Sequence, residues 1–167
     1  DQVVMTRAAG PDEEFGKFIS RFTRAGITWS DYRSAGLKPL GGGNDSLDVC
    51  GGPFLAFCGI AGPEGFSRSL EQHGLDIVDM VIFPDHHPYK DEDLERIAGI
   101  ARSSGALALV TTEKDVMRIR SNEKAYLFNE IPIYYIPIRT VFHNGDGERF
   151  SKAIVKFLSS SKRPKKV

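Results

Sequence analysis

Cysteine is scarce in this 167-residue chain, which has only Cys50 and Cys58. Two thiols in Gly-rich, apolar surroundings do not make a disulfide framework, and they point to a reducing compartment. Net charge is lacking as well. Lys and Arg number 22, and Asp and Glu also number 22, so no global field draws the chain onto nucleic acid. Long apolar runs are absent. The uncharged stretch that begins at Val49 is broken by Gly51, Gly52, Pro53 and Gly59, well short of the ~20 apolar residues a spanning helix needs. No repeat of fixed period occurs. What is present is 41% hydrophobic residues, with 11 Phe, enough to fill a core and to exclude disorder of the whole chain.

The length suits one domain, or one and a small appendage. The chain opens on Asp1 and enters at once the strand-like run Gln2 to Thr6. The expectation is a part of a longer protein. Residues 1–40 then read as the end of a preceding lobe, 41–52 as a Gly-rich linker, 53–160 as an α/β lobe and 161–167 as a basic tail.

Hydrophobic spacing gives the elements. Pro11 and the acids after it open a helix carrying Phe15, Phe18, Ile19 and Phe22 on one face, ending near Gly26. Ile27 to Tyr32 alternates as a strand does. Phe54 to Cys58, Ile77 to Phe83 and Ala106 to Val110 read as strands. Helices are expected after Pro63, over Asp91 to Ser103 and over Glu113 to Ile119. Tyr126 to Phe128 and Ile133 to Ile136 read as late strands, and Glu148 to Leu158 as a closing helix. This alternation predicts an α/β fold: a mostly parallel sheet with helices on both faces, a Rossmann-like three-layer lobe.

In such sheets ligands bind beyond the carboxyl ends of the strands. Three strand-to-helix segments fall there: Gly59 to Glu64, Pro84 to Tyr89 and Thr111 to Asp115. The glycines Gly59 and Gly62 could let a backbone approach an anion, or could simply make a tight turn. No Gly-Lys-Ser/Thr follows them, so this is not a P-loop. Pro84-Asp85-His86-His87-Pro88-Tyr89 is the most distinctive segment, with two imidazoles and a carboxylate between stiffening prolines. Asp85 could orient His86, and a His so placed could assist a catalytic carboxylate or ligate a metal. His86 and His87 are consecutive, and their side chains should diverge. Thr112 could cap the next helix, with Asp115 closing a capping box, while Lys114 could meet a phosphate or solvent.

Leu55 to Phe66, then Phe83-Pro84-Asp85-His86-His87-Pro88-Tyr89, then Val110-Thr111-Thr112-Glu113-Lys114-Asp115, come in order. Together they resemble the carboxyl-terminal half of the tetraacyldisaccharide 4'-kinase (lipid A 4'-kinase) family, and Val3 to Arg7 is similar to the strand after that family's catalytic core. The resemblance implies a transferase of lipid A biosynthesis at the cytoplasmic face of the bacterial inner membrane. It would move the γ-phosphate of ATP, with Mg²⁺, to the 4'-hydroxyl of a tetraacyl glucosamine disaccharide. The family's P-loop and metal-binding acids lie in the amino-terminal half, which this chain lacks. Alone it is expected to be inactive and to bind neither ATP nor Mg²⁺ tightly. The expected partners are that P-loop lobe, the lipid A precursor and a peripheral membrane contact, with no nucleic acid. The resemblance makes His86 the helper of a catalytic Asp, with Asp85 beside it. Gly59, Gly62, His87, Thr112, Glu113, Lys114 and Asp115 fall in the substrate or nucleotide vicinity, and no metal ligand is implied. Lys90 departs from the Ser or Thr that commonly caps the following helix.

Two other readings compete. An Asp-His-His phosphoesterase would use two metals, yet no Asp-x-Asp-Gly segment precedes the triplet. A non-catalytic α/β module would bind a ligand or partner through the same loops.

Overall fold

The computed structural model describes residues 1–40, 52–120 and 131–160. The Gly41 to Gly43 joint, the Tyr126 to Phe128 strand and the basic tail lie outside the described residues. The chain divides into two compact units. One is Asp1–Arg33 with Arg139–Val167, and the other is Ser34–Ile138. Tertiary contact therefore groups the opening residues with the closing helix, a division that the linear reading of 1–40 and 53–160 does not make.

The larger unit holds a five-stranded sheet in the order β3-β7-β6-β4-β5. Its strands are β3 (Lys38–Pro39), β4 (Phe54–Cys58), β5 (Ile77–Ile82), β6 (Ala108–Thr112) and β7 (Ile133–Ile136). β4 runs parallel to β5 and to β6, and β6 runs parallel to β7. The short edge strand β3 is antiparallel to β7, so the sheet is mixed at one edge. The helices are α2 (Pro63–Gln72), α3 (Asp91–Ser104) and α4 (Glu113–Arg120).

Alternation along β4 builds two cores. Leu55 and Phe57 pack with Leu94, Ile97 and Ala101 of α3 and with Val116 and Ile119 of α4. Phe54, Ala56 and Cys58 pack on the other face with Phe66 and Leu70 of α2. Helices cover both faces, as expected. β4 and β6 are wholly buried because both faces are covered. The chain leaves β4 through α2 toward β5 and leaves β6 through α4 toward β7, on opposite sides and opposite faces. The crevice between the carboxyl ends of β4 and β6 is thus the switch point of the sheet.

The smaller unit has a three-stranded sheet in the order β1-β2-β8, from β1 (Gln2–Met5), β2 (Gly26–Ser34) and β8 (Ile138–Phe142). Helices α1 (Glu13–Ile19) and α5 (Asp146–Ser160) belong to it. Buried Asp146 ties α5 to β2 by accepting the Trp29 N–H at 2.8 Å, and it pairs with Arg149. α1 stops at Ile19, well before Gly26, and has no buried residue. The phenyl face of Phe15, Phe18 and Phe22 is real, since the rings contact one another, but all three are exposed. Helical periodicity reports which side chains share a face and says nothing of what lies opposite. β3 and β8 had no expectation attached, being short or lacking clean alternation.

Candidate functional site

The three strand-to-helix segments meet at the carboxyl edge of the larger sheet. Gly59, at the end of β4, is the centre. Its N–H donates to Asp115 Oδ2 at 3.0 Å, and its carbonyl accepts the His86 N–H at 3.2 Å. A Cβ here would lie 3.1 Å from His87 Cβ, 3.1 Å from the Tyr89 hydroxyl and 3.3 Å from the Pro84 carbonyl. Glycine suits this close approach of the Pro84 to Tyr89 loop, since a Cβ would push its neighbours by a few tenths of an ångström. Gly62 is different. It is the N-cap of α2, exposed, with Pro63 in the first turn, and a Cβ there would meet little.

Asp115 is fully buried. Thr112 caps α4, its Oγ1 accepting the Asp115 N–H at 3.2 Å. The Asp115 carboxylate does not reach back to the Thr112 backbone to close a capping box. It accepts the Thr112 hydroxyl at 2.7 Å, the Gly59 N–H and the Arg118 guanidinium at 2.9 Å. The Gly59 bond thereby links the end of β4 to the start of α4 across the switch point. A buried carboxylate needs such donors to remain charged. Its charge acts on its neighbours. Burial first, then Asp115, pushes the Cys58 thiol up to about 11, which leaves it a poor nucleophile. Burial first, then Asp115, also raises the Tyr89 phenol above its ordinary value. Glu113 and Lys114 stand exposed in the first turn of α4.

The two imidazoles part company. His87 stacks on Phe83 and contacts Asp93 Oδ2 through Nε2 at 2.8 Å. The same oxygen accepts the Lys90 N–H at 2.8 Å. Lys90 offers no side-chain oxygen to the first turn of α3; Asp93, the third residue of α3, instead makes the reciprocal bond to the Lys90 N–H, and His87 is bound to the same oxygen. His86 points the other way, its side chain 76% exposed. Its Nδ1 lies 3.1 Å from Arg118 Nη2. Its Nε2 is 3.7 Å from Asp85 Oδ2, beyond hydrogen-bond distance, while Asp85 Oδ1 accepts the His86 N–H at 3.0 Å. The near partner of the ring is Arg118, which the sequence reading did not single out. Its i,i+3 spacing from Asp115 was the available signal. Tyr89 was missed too. It is buried against Phe57, Phe83 and His87 and carries the loop into the core.

Two of the four non-glycine residues with positive φ among the described residues lie in this loop. His86 and Tyr89 take φ of 60° and 43°. Side chains with a Cβ rarely adopt this left-handed region, at a cost of about 1–2 kcal/mol each. The buried Tyr89 ring and the ties to Gly59 hold them there. The strain turns His86 outward and His87 inward.

The Asp93 cap has a pH signature. Burial opposes ionisation of Asp93, but the His87 hydrogen bond, the Lys90 N–H and the charges of both residues outweigh it. The carboxyl is held below its usual 3.8. A folded value below the unfolded one stabilises the fold above the unfolded value. That contribution disappears as pH falls through the folded value. Asp93→Asn is expected to cost about 1 kcal/mol at pH 6. The gap to the native protein should narrow as pH drops below 3.8. Urea midpoints measured along a pH series check this, and a gap independent of pH would remove the carboxylate from the cap.

The sequence pattern described as tetraacyldisaccharide-1-P 4'-kinase matches residues 12–159. The chain belongs to that family. Among the relatives is the tetraacyldisaccharide 4'-kinase of Mesorhizobium japonicum, 37% identical over 145 residues, which are 85% of this chain and 40% of the relative. That of Syntrophus aciditrophicus is 38% identical over 123 residues, 72% of this chain and 33% of the relative. That of a Bradyrhizobium strain (ORS 278) is 48% identical over 86 residues, 52% of this chain and 25% of the relative. The chain thus spans well under half the length of these kinases. Among solved structures, LpxK from Aquifex aeolicus in complex with ATP is similar in fold, with a TM-score of 0.55 at 15% identity, covering 93% of this chain and 51% of that one.

Among the described residues no three His, Cys, Asp or Glu side chains come together as a metal-binding group. Among the described residues no helix is long and apolar enough to cross a membrane.

Proposed function

We propose that this chain is the carboxyl-terminal portion of a lipid A biosynthesis kinase that transfers the γ-phosphate of ATP to the 4'-hydroxyl of a tetraacyl glucosamine disaccharide. The family match and the named activity of the relatives support the reaction. The observation that carries a role for this portion is the Pro84 to Tyr89 loop. It holds an exposed imidazole at the carboxyl edge of a parallel sheet, in a strained backbone conformation, with its inner nitrogen bound by a guanidinium.

Phosphoryl transfer is mostly positioning and charge neutralisation. The P-loop and the Mg²⁺-binding acids would come from an amino-terminal lobe outside this chain. His86 would then face that lobe, orienting a carboxylate that accepts the proton of the sugar hydroxyl. Gly59, Asp115 and Thr112 serve by fixing the loop. Exposed Lys114, at the start of α4, would lie in the vicinity of an anionic group. The protein would work at the cytoplasmic face of the inner membrane, in peripheral contact with it, where its lipid substrate resides.

The test is transfer of labelled phosphate from ATP to the disaccharide lipid by the intact protein and by residues 1–167 alone. Transfer by the intact protein and none by the isolated chain is expected. Transfer by neither overturns the reading. Transfer by residues 1–167 alone overturns the division of labour between two lobes.

A further inference from the structure

Arginine has donors only, five N–H groups and no acceptor. The 3.1 Å contact between Arg118 Nη2 and His86 Nδ1 therefore exists only where Nδ1 keeps its lone pair. The ring proton then sits on Nε2, the nitrogen that faces outward and has Asp85 on its side. We propose that Arg118 is a positioning residue that fixes His86 as the Nε2–H tautomer. His86 thereby enters the proposed reaction as an outward hydrogen-bond donor and not as the group that takes the hydroxyl proton. This rests on the reaction proposed above.

The guanidinium is well placed to impose this. Its Nη1 donates to the Gly59 carbonyl at 3.1 Å and to buried Asp115 at 2.9 Å. Those two acceptors fix the plane of the fork, so Nη2 is aimed before His86 arrives. The Gly59 carbonyl also accepts the His86 N–H. One carbonyl thus registers both the backbone and the ring partner of the histidine. A donor-only partner on Nδ1 leaves a single role for Nε2 in the neutral ring, that of donor toward an acidic oxygen. Asp85, at 3.7 Å, is near enough to favour the same tautomer and too far to occupy the proton.

The experiment is long-range proton–nitrogen NMR on the intact protein labelled with ¹⁵N at histidine, with His86 assigned by its loss in His86→Gln. The native spectrum is expected to show His86 with a protonated Nε2 and an unprotonated Nδ1. An Nδ1–H ring, or an average of both tautomers, overturns the proposal. Arg118→Met should move His86 to an averaged pattern and leave His73 and His87 unmoved. Turnover should fall about 10²-fold, as for a misplaced group, with the KM for ATP unchanged. Arg118→Lys, which keeps a donor and a charge, should recover part of both. An unchanged His86 signal in Arg118→Met overturns the proposal. Where that variant fails to fold because Asp115 loses its cation, Asp115→Asn combined with Arg118→Met removes both charges and is read by the same signal. The spectrum reads the tautomer whether or not the protein is a kinase. Absent phosphate transfer with the tautomer as stated therefore defeats the reaction, and a wrong tautomer with normal transfer defeats only the role of Arg118.

Discussion

Replacing His86 by alanine is expected, on the proposed reaction, to lower turnover of the intact protein by about 10²-fold or more, the lower range for a group assisting proton transfer. The side chain is 76% exposed, so little packing is lost with it. An exposed substitution shifts stability by no more than about 0.5 kcal/mol. The left-handed backbone at His86 is tolerated by histidine better than by alanine, so the exchange adds only a small cost there. Turnover and stability should therefore separate, with kcat falling while the melting temperature and the KM for ATP hold. Steady-state kinetics beside a thermal melt make the measurement. Near-native turnover would reduce His86 to a residue of the loop. His87→Ala supplies the contrast. It should loosen the α3 cap through Asp93 and lower stability first, because His87 is turned inward.

Asp115→Ala is expected to destabilise the larger unit by about 3–5 kcal/mol, the loss found when one partner of a buried ion pair is removed. The carboxylate is fully buried, and its removal leaves the Gly59 N–H, the Thr112 hydroxyl and the Arg118 guanidinium without their acceptor. That is a large share of the ~5–15 kcal/mol that a domain commands. Asp115→Asn keeps the shape and one acceptor but loses the charge, and should cost less, about 1.5–3 kcal/mol. Urea unfolding followed by far-ultraviolet circular dichroism ranks the two. A loss under about 1 kcal/mol for alanine would mean that Asp115 is not what ties β4 to α4.

Much of this site was legible along the chain. The run Phe54 to Cys58 announced a strand buried on both faces. The placement of three loops after three strands announced that they share one edge. The divergence of His86 and His87 follows from their adjacency, and Thr112 capping follows from its position before Glu113. Other features were not legible. The rings of Phe15, Phe18 and Phe22 contact one another as their spacing suggests, yet the helix ends at Ile19, before Phe22, and all three rings remain exposed. The capping box at Thr112 is half made, because the Asp115 carboxylate is drawn across the switch point to Gly59. Asp85 sits beside His86 in sequence, but the close partner of the ring is Arg118, 32 residues away.

The sequence by itself determined most of the elements, though not β3, β8 or the end of α1, and with them the layered fold, the family and the loop that presents His86. These depend on periodicity, turn chemistry and motif order, all of which act over a few residues. Only the tertiary structure decided which side chains meet at the edge of the sheet. It also decided that α5 joins the opening strands, and that Arg118, Asp115 and Gly59 form one hydrogen-bonded group behind His86. Those contacts are set by the strand order and by the side on which each crossover helix returns. A donor is paired with an acceptor only once folding has removed the water that would otherwise satisfy both.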